Sequence, residues 1–187
     1  MAVLLNKKLR VSVLGLILLW SVAFFWSLNQ YYAVNIITSI LALIVLLLIF
    51  FDISSLFVII FISFIVSDVL YGYLYVNNLP LSLIMFAGFF LYGYLFLFLE
   101  QKLKILGRER LVYVPIFSLL ILEMFLFLSY LLLSPINKSL LIALLVYIVS
   151  GFSANIIAKD NNRGFLNYLL VFAVIFVIMI LTATWGG

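Results

Sequence analysis

Between short polar turns this chain carries one apolar run after another, each close to the length of about 20 residues that a helix needs to cross a bilayer. The runs lie at residues 11–28, 34–51, 53–76, 81–99, 111–134, 139–158 and 165–185. A segment of this kind leaves few options. With no water to satisfy its backbone, it must satisfy its own amides, and a helix does that within one segment. The expected fold is therefore all-α: a polytopic transmembrane helix bundle of about seven spans, making a single integral membrane domain over residues 1–187. The turns are short and hold Asn29-Gln30-Tyr31-Tyr32, Asp52, Asn77-Asn78-Leu79-Pro80, Pro135-Ile136-Asn137-Lys138 and the stretch 159–164. None can hold a soluble domain, so any site must be built from helix faces or from these turns.

Charge gives the orientation. If odd-numbered spans run outward, the N-terminus, the loop 100–110 (EQKLKILGRER) and the turn 159–164 share one side. That side holds Lys7, Lys8, Arg10, Lys102, Lys104, Arg108, Arg110, Lys159 and Arg163, whereas the other holds only Lys138. Cytoplasmic loops are the ones enriched in Lys and Arg, which places the N-terminus in the cytoplasm and the far end of a seventh span outside. The basic start, MAVLLNKKLR, leads into a run longer than a signal-peptide core and without a small-x-small cleavage site, so it reads as a retained first span. Short loops and economical length suit a bacterial inner membrane.

Composition excludes several chemistries. Hydrophobic residues make up 69% of the chain and charged ones 9%, with a mean hydropathy of +1.44; a soluble domain carries about a quarter charged residues. Cysteine and histidine are both absent. That removes disulfides, thiolate nucleophiles, histidine metal sites and histidine-based triads. No phosphate loop, nucleotide fingerprint or metal cluster is present, and the sequence calls for no cofactor, metal or nucleic-acid partner. Membrane lipids are the expected surroundings, and the basic loop 100–110 is a topology determinant with anionic headgroups as a secondary contact.

Two carboxylates stand inside the apolar runs. Asp68 lies about two thirds of the way along the third run. Such a group faces a wet cavity, finds a partner or stays protonated. Helical spacing puts Tyr71, Gly72 and Tyr75 on its face. The plain alternative is a structural hydrogen bond between helices. Glu123 lies near the middle of the fifth run, with Phe127 and Tyr130 on its face. The depths of Asp68 and Glu123 differ by about 6 Å, so the two meet in the bundle centre if their helices are neighbours. Sharing a proton would then follow. The alternative for Glu123 is a cap on a neighbouring helix or contact with a headgroup. In the sixth run Ser150, Gly151, Ser153, Ala154 and Asn155 form a small, polar cluster whose plain reading is close helix packing, as for Gly72, Gly88 and Gly93. Trp26, Tyr31, Tyr32 and Trp185 suit an interfacial belt.

The chain also echoes itself: FIVSD at 64–68 becomes YIVSG at 147–151, each followed by an apolar half-helix and an Asn-Asn pair. Around Asp68 the order of features resembles the YhhN family of membrane proteins, whose best-known activity is lysoplasmalogenase. Val66-Ser67-Asp68-Val69-Leu70 is similar to the family's small-residue–Asp motif. Ala87-Gly88-Phe89-Phe90-Leu91-Tyr92-Gly93 is similar to its Gly/Ala-Phe-rich span, with Gly93 where a histidine falls. Tyr147-Ile148-Val149-Ser150-Gly151 is similar to its Ser-Asp or Ser-Asn motif, with Gly151 where the acid or amide falls. The resemblance covers residues 61–181, and the family is usually read as eight spans.

What the resemblance implies is action on, or binding of, a single-chain lysolipid, in its active form hydrolysis of the vinyl ether of a lysoplasmalogen. That reaction protonates carbon and lets water capture the oxocarbenium ion, which needs a general acid and a group that positions water. On this reading Asp68 is the acid, and the water-orienting role falls to Glu123, Asn155 or a tyrosine. Tyr71, Tyr75, Ser150 and Asn155 line the substrate site. Two further readings stand beside it: a catalytically inactive accessory or structural subunit of a membrane complex, with a membrane-protein partner, and a small transporter, for which the internal echo speaks.

Overall fold

The computed structural model describes residues 7–51, 55–102 and 108–158, with side chains described over 9, 11–51, 56–99 and 112–151. Among these are six helices and no strand: α1 (Lys7–Leu28), α2 (Tyr32–Phe51), α3 (Ser55–Tyr75), α4 (Leu81–Lys102), α5 (Arg108–Ser129) and α6 (Pro135–Ala158). The first five are long and apolar enough to cross a membrane, and α6 contributes a shorter apolar stretch, Pro135–Gly151. The described residues thus form an all-helical bundle whose long apolar helices make this an integral membrane protein. The run expected at 165–185, on which the count of seven rests, lies outside the described residues, as does the turn 159–164.

The helix α3 is the axis. It buries 72% of its Leu56–Tyr75 span, against 28–33% for the spans of α1, α2, α4 and α5. Residues 65–72 are buried without a break, so α3 is enclosed on every side rather than along one stripe. Helices α1 and α2 pack on one flank of α3. On the other flank α3, α4, α5 and α6 close a four-membered ring in which each helix touches the next. The helix α2 shows the opposite extreme: it buries only Asn35, Thr38, Ala42, Val45 and Ile49, a seam spaced three and four residues apart. Its remaining surface presents Ile37, Ile40, Leu43 and Phe50 outward, as a lipid-facing helix does.

Glycines let two helix pairs approach. A Cβ at Gly72 would overlap the Leu28 side chain of α1, which would have to turn aside to admit it. At Gly88 a Cβ would come within 2.8 Å of Leu122 Cδ2 of α5. The packing expected of these small residues is what brings α4 against α5.

Three helix ends differ from the expected boundaries or explain them. The fifth run extends to residue 134, but α5 stops at Ser129. The Ser129 side chain turns back to Leu126 O at 2.6 Å, and Tyr130 N and Leu131 N make tighter bonds to Phe127 O and Leu128 O. Such local competition for carbonyls ends helices. The residues 135–138, expected as a turn, are instead the first turn of α6. Pro135 occupies the first helical position, where its missing N–H costs nothing, and Ser134 Oγ accepts from Asn137 N at 3.3 Å as an N-cap. After α3, Asn78 takes a left-handed φ of 51°, and Leu79 N donates to Tyr73 O at 3.2 Å. Asparagine is one of the few side-chain-bearing residues that visit this region readily.

Candidate functional site at the shared ends of three helices

One face of α3 carries Ser63, Ser67, Tyr71 and Tyr75, each one turn beyond the last. The ladder they form ties α3 to its neighbours. Ser67 Oγ donates to Ser63 O at 2.5 Å and is hydrogen-bonded to Tyr92 Oη of α4 at 2.6 Å. Tyr71 Oη donates to Phe125 O of α5 at 3.0 Å, and its ring stacks on Phe125 with centroids 4.0 Å apart. Tyr75 Oη donates to Ser129 O at 2.5 Å. The two tyrosines are one turn apart, and so are the two carbonyls they reach. Helices α3 and α5 therefore run in the same direction, as spans separated by one other must.

A cation completes the cluster. Lys138 sits in the first turn of α6, in contrast to the flanking turn expected from the sequence, and it is 3% exposed. Its Nζ donates to Tyr75 Oη at 2.6 Å and to Ser129 O at 3.3 Å. It also lies 4.4 Å from the Tyr75 ring centroid and 5.6 Å from that of Tyr71. Ser129 O is a terminal helix carbonyl with no intrahelical partner, so the ammonium and the Tyr75 phenol cap the end of α5. Among the described residues no carboxylate lies within 4.0 Å of Nζ. The ammonium is held by neutral oxygens and aromatic faces, and it joins α3, α5 and α6 at one point.

Asp68 lies one turn or so deeper. It is 4% exposed, and its Oδ1 is 3.4 Å from Ser139 Oγ. Ser139 has one proton and a nearer acceptor, Pro135 O at 2.7 Å, so its contact with Asp68 is the weaker of the two. Tyr71, Val69 and Leu70 around Asp68 are buried.

The expected site residues divide. Asp68, Tyr71 and Tyr75 do gather where α3, α5 and α6 meet, with Tyr75 42% exposed and the other two buried. Glu123 does not join them: it is exposed, on the side of α5 that carries Phe127 and Tyr130, while Leu122 and Phe125 face the ring. The helices are close, as the Tyr71–Phe125 contact requires, but Glu123 points away. Ser150 is buried, its Oγ without a hydrogen-bond partner among the described residues, and it lies eleven residues beyond Ser139, about 16 Å along α6. It belongs to another level of the bundle. The side chain of Asn155 lies outside the described residues. Among those residues no three His, Cys, Asp or Glu side chains come together as metal ligands would.

Sequence reasoning passed over Lys138 and Ser139. The signal was present in the charge distribution. Lys138 is the one basic residue that the expected seven-span arrangement sets apart from the others, and the structure buries it in the cluster. It is a core residue and no part of the loop charge that sets topology. Compared with protein-family models, with curated proteins and with solved structures, the chain matches none.

Proposed function

We propose that this membrane protein is a non-catalytic accessory or structural subunit of a larger membrane assembly, in which the polar cluster fixes helix geometry. The observation that carries this reading is the enclosure of Asp68. It is 4% exposed, walled by buried aliphatic and aromatic side chains, and the second carboxylate that acid chemistry would recruit points out of the bundle. A general acid must come within hydrogen-bond reach of the atom it protonates. Lys138, Tyr75 and Ser129 O, by contrast, satisfy one another in the manner of a helix-end clamp.

A second reading, action on a single-chain lysolipid, draws on a different observation. Among the described residues Asp68 has the 3.4 Å contact with Ser139, whose nearer acceptor is Pro135 O, and Tyr75 opens the cluster to the surface. One experiment separates the two. Purified protein in detergent is given lysoplasmenylethanolamine and lysoplasmenylcholine, and fatty aldehyde is measured for wild type and Asp68→Asn. The accessory reading expects no aldehyde above the protein-free control. Release by wild type that Asp68→Asn abolishes, with its gel-filtration profile unchanged, overturns it in favour of the hydrolase. On the accessory reading, affinity purification from native membranes yields a partner membrane protein in fixed stoichiometry.

A further inference from the structure

Among the residues whose side chains are described, three carry a formal charge: Asp68, Glu123 and Lys138. Glu123 is exposed on the outer side of α5, and the other two are buried on helices that pack together, α3 and α6. A carboxyl and an ammonium buried so close to one another are expected to pair. They do not. Lys138 Nζ is held by Tyr75 Oη and Ser129 O, and Asp68 Oδ1 has the 3.4 Å contact with Ser139 Oγ. The Ser139 proton has a nearer acceptor in Pro135 O at 2.7 Å, so Asp68 receives little from it. An ionised carboxylate in that setting is costly, whereas the acid form needs no cation. The arrangement is that of a neutral Asp68.

The alternative pairing is one side-chain movement away. Lys138 precedes Ser139, whose hydroxyl already touches the carboxyl, and neighbouring Cα atoms are about 3.8 Å apart. Nζ also lies 5.6 Å from the ring centroid of Tyr71, three residues along α3 from Asp68. The flexible four-carbon stem of a lysine covers such a step by changing rotamers. Among the described side chains no other charge competes. Residues 11–51 of α1 and α2 hold no Asp, Glu, Lys or Arg. The helix α4 brings Tyr92, whose hydroxyl is engaged with Ser67, and α5 brings Phe125. On α6 the other titratable side chain is Tyr147, about two turns beyond Ser139. On α3 itself they are Tyr71 and Tyr75, which donate to carbonyls of α5.

We infer that Lys138 is a two-position latch governed by the proton on Asp68. With the carboxyl in its acid form, the ammonium holds Tyr75 and Ser129 O. When that proton leaves to water at the membrane edge, where Tyr75 is exposed, the ammonium turns to the carboxylate and releases the end of α5. The inference rests on the clamp geometry and not on the accessory role, so its test uses the purified chain alone.

Infrared difference spectra of the protein in phosphatidylcholine vesicles, recorded across a pH titration, follow the C=O stretch of protonated carboxyls. The Asp68 band is the one that Asp68→Asn removes, and it should fade as pH rises. Lys138→Met takes away the cation that receives the carboxylate and should move the midpoint up by about one pH unit. Tyr75→Phe removes one of the ammonium's two anchors and frees it to pair, so it should move the midpoint down by about half a pH unit. An ammonium fixed in place accounts for the first change but not the second. Tyr75→Phe therefore decides the question even if Lys138→Met does not fold. The coupling between Tyr75→Phe and Lys138→Met in detergent unfolding should be present below the wild-type midpoint and lost above it, and in Asp68→Asn it should persist at both pH values. The proposal fails if no Asp68 band titrates, if Tyr75→Phe leaves the midpoint in place or raises it, or if the coupling is equal on both sides of the midpoint.

Discussion

Replacing Tyr75 by phenylalanine tests the helix-end clamp at its centre. The substitution keeps the ring, and with it the aromatic face 4.4 Å from Lys138 Nζ, but removes one oxygen that takes part in two bonds. That oxygen accepts from the buried ammonium at 2.6 Å and donates to the terminal carbonyl of Ser129 at 2.5 Å. A neutral hydrogen bond contributes about 1 kcal/mol net and one to a charged group about 1.5–3 kcal/mol. Side-chain bonds between membrane helices average nearer about 0.6 kcal/mol, because the unfolded chain in the bilayer also finds partners. Tyr75 is itself 42% exposed, so water at the membrane edge replaces part of what is lost. The expected cost is therefore about 1.5–2.5 kcal/mol. Lys138→Met should cost less, about 0–1 kcal/mol, because removing the ammonium also removes the penalty for burying it while the methionine fills the space of the stem. The informative quantity is their coupling. With Met at 138, Tyr75→Phe forfeits only its bond to Ser129 O, about 1 kcal/mol. The double-mutant cycle should thus show a coupling of about 1 kcal/mol. Reversible unfolding in mixed micelles, titrated with sodium dodecyl sulfate, measures all four proteins. Equal costs for Tyr75→Phe in both backgrounds would mean that Lys138 and Tyr75 do not stabilise one another, and the clamp would be refuted.

Two other substitutions report on the geometry. Gly72→Val places a branched side chain where Leu28 already lies and should cost about 1–3 kcal/mol of stability, whereas Gly15→Ala, whose Cβ meets only ordinary contact with Leu46 at 3.7 Å, should be near neutral; the thermal midpoint in detergent separates them. Ser134→Ala removes the N-cap of α6 and should cost about 1 kcal/mol in the same micelle titration, with Ser134→Asp restoring most of it.

The first five apolar runs and most of the turns between them are legible in the order of residues, although 135–138 belongs to α6 and α5 ends at Ser129. Length against bilayer thickness sets the helices, and it acts locally along the chain. Local periodicity also set Tyr71 and Tyr75 on the face of Asp68; in the structure the two tyrosines reach carbonyls of α5, and Asp68 reaches Ser139 of α6. Periodicity could not say which face of a helix points inward. In water the apolar side of a helix is its buried side, but lipid tails are as apolar as a protein core, and spans such as α5 are hydrophobic nearly all round. Asp68 and Glu123 therefore look alike in the sequence, each a lone carboxyl in an apolar run. Only packing turned one into the ring of α3, α4, α5 and α6 and left the other on its outer side. Lys138 shows the same division from the polar side. The sequence sets it apart from the other cations only through the expected span order, and its position beside Tyr75 and Ser129 O depends on three helix ends meeting in space.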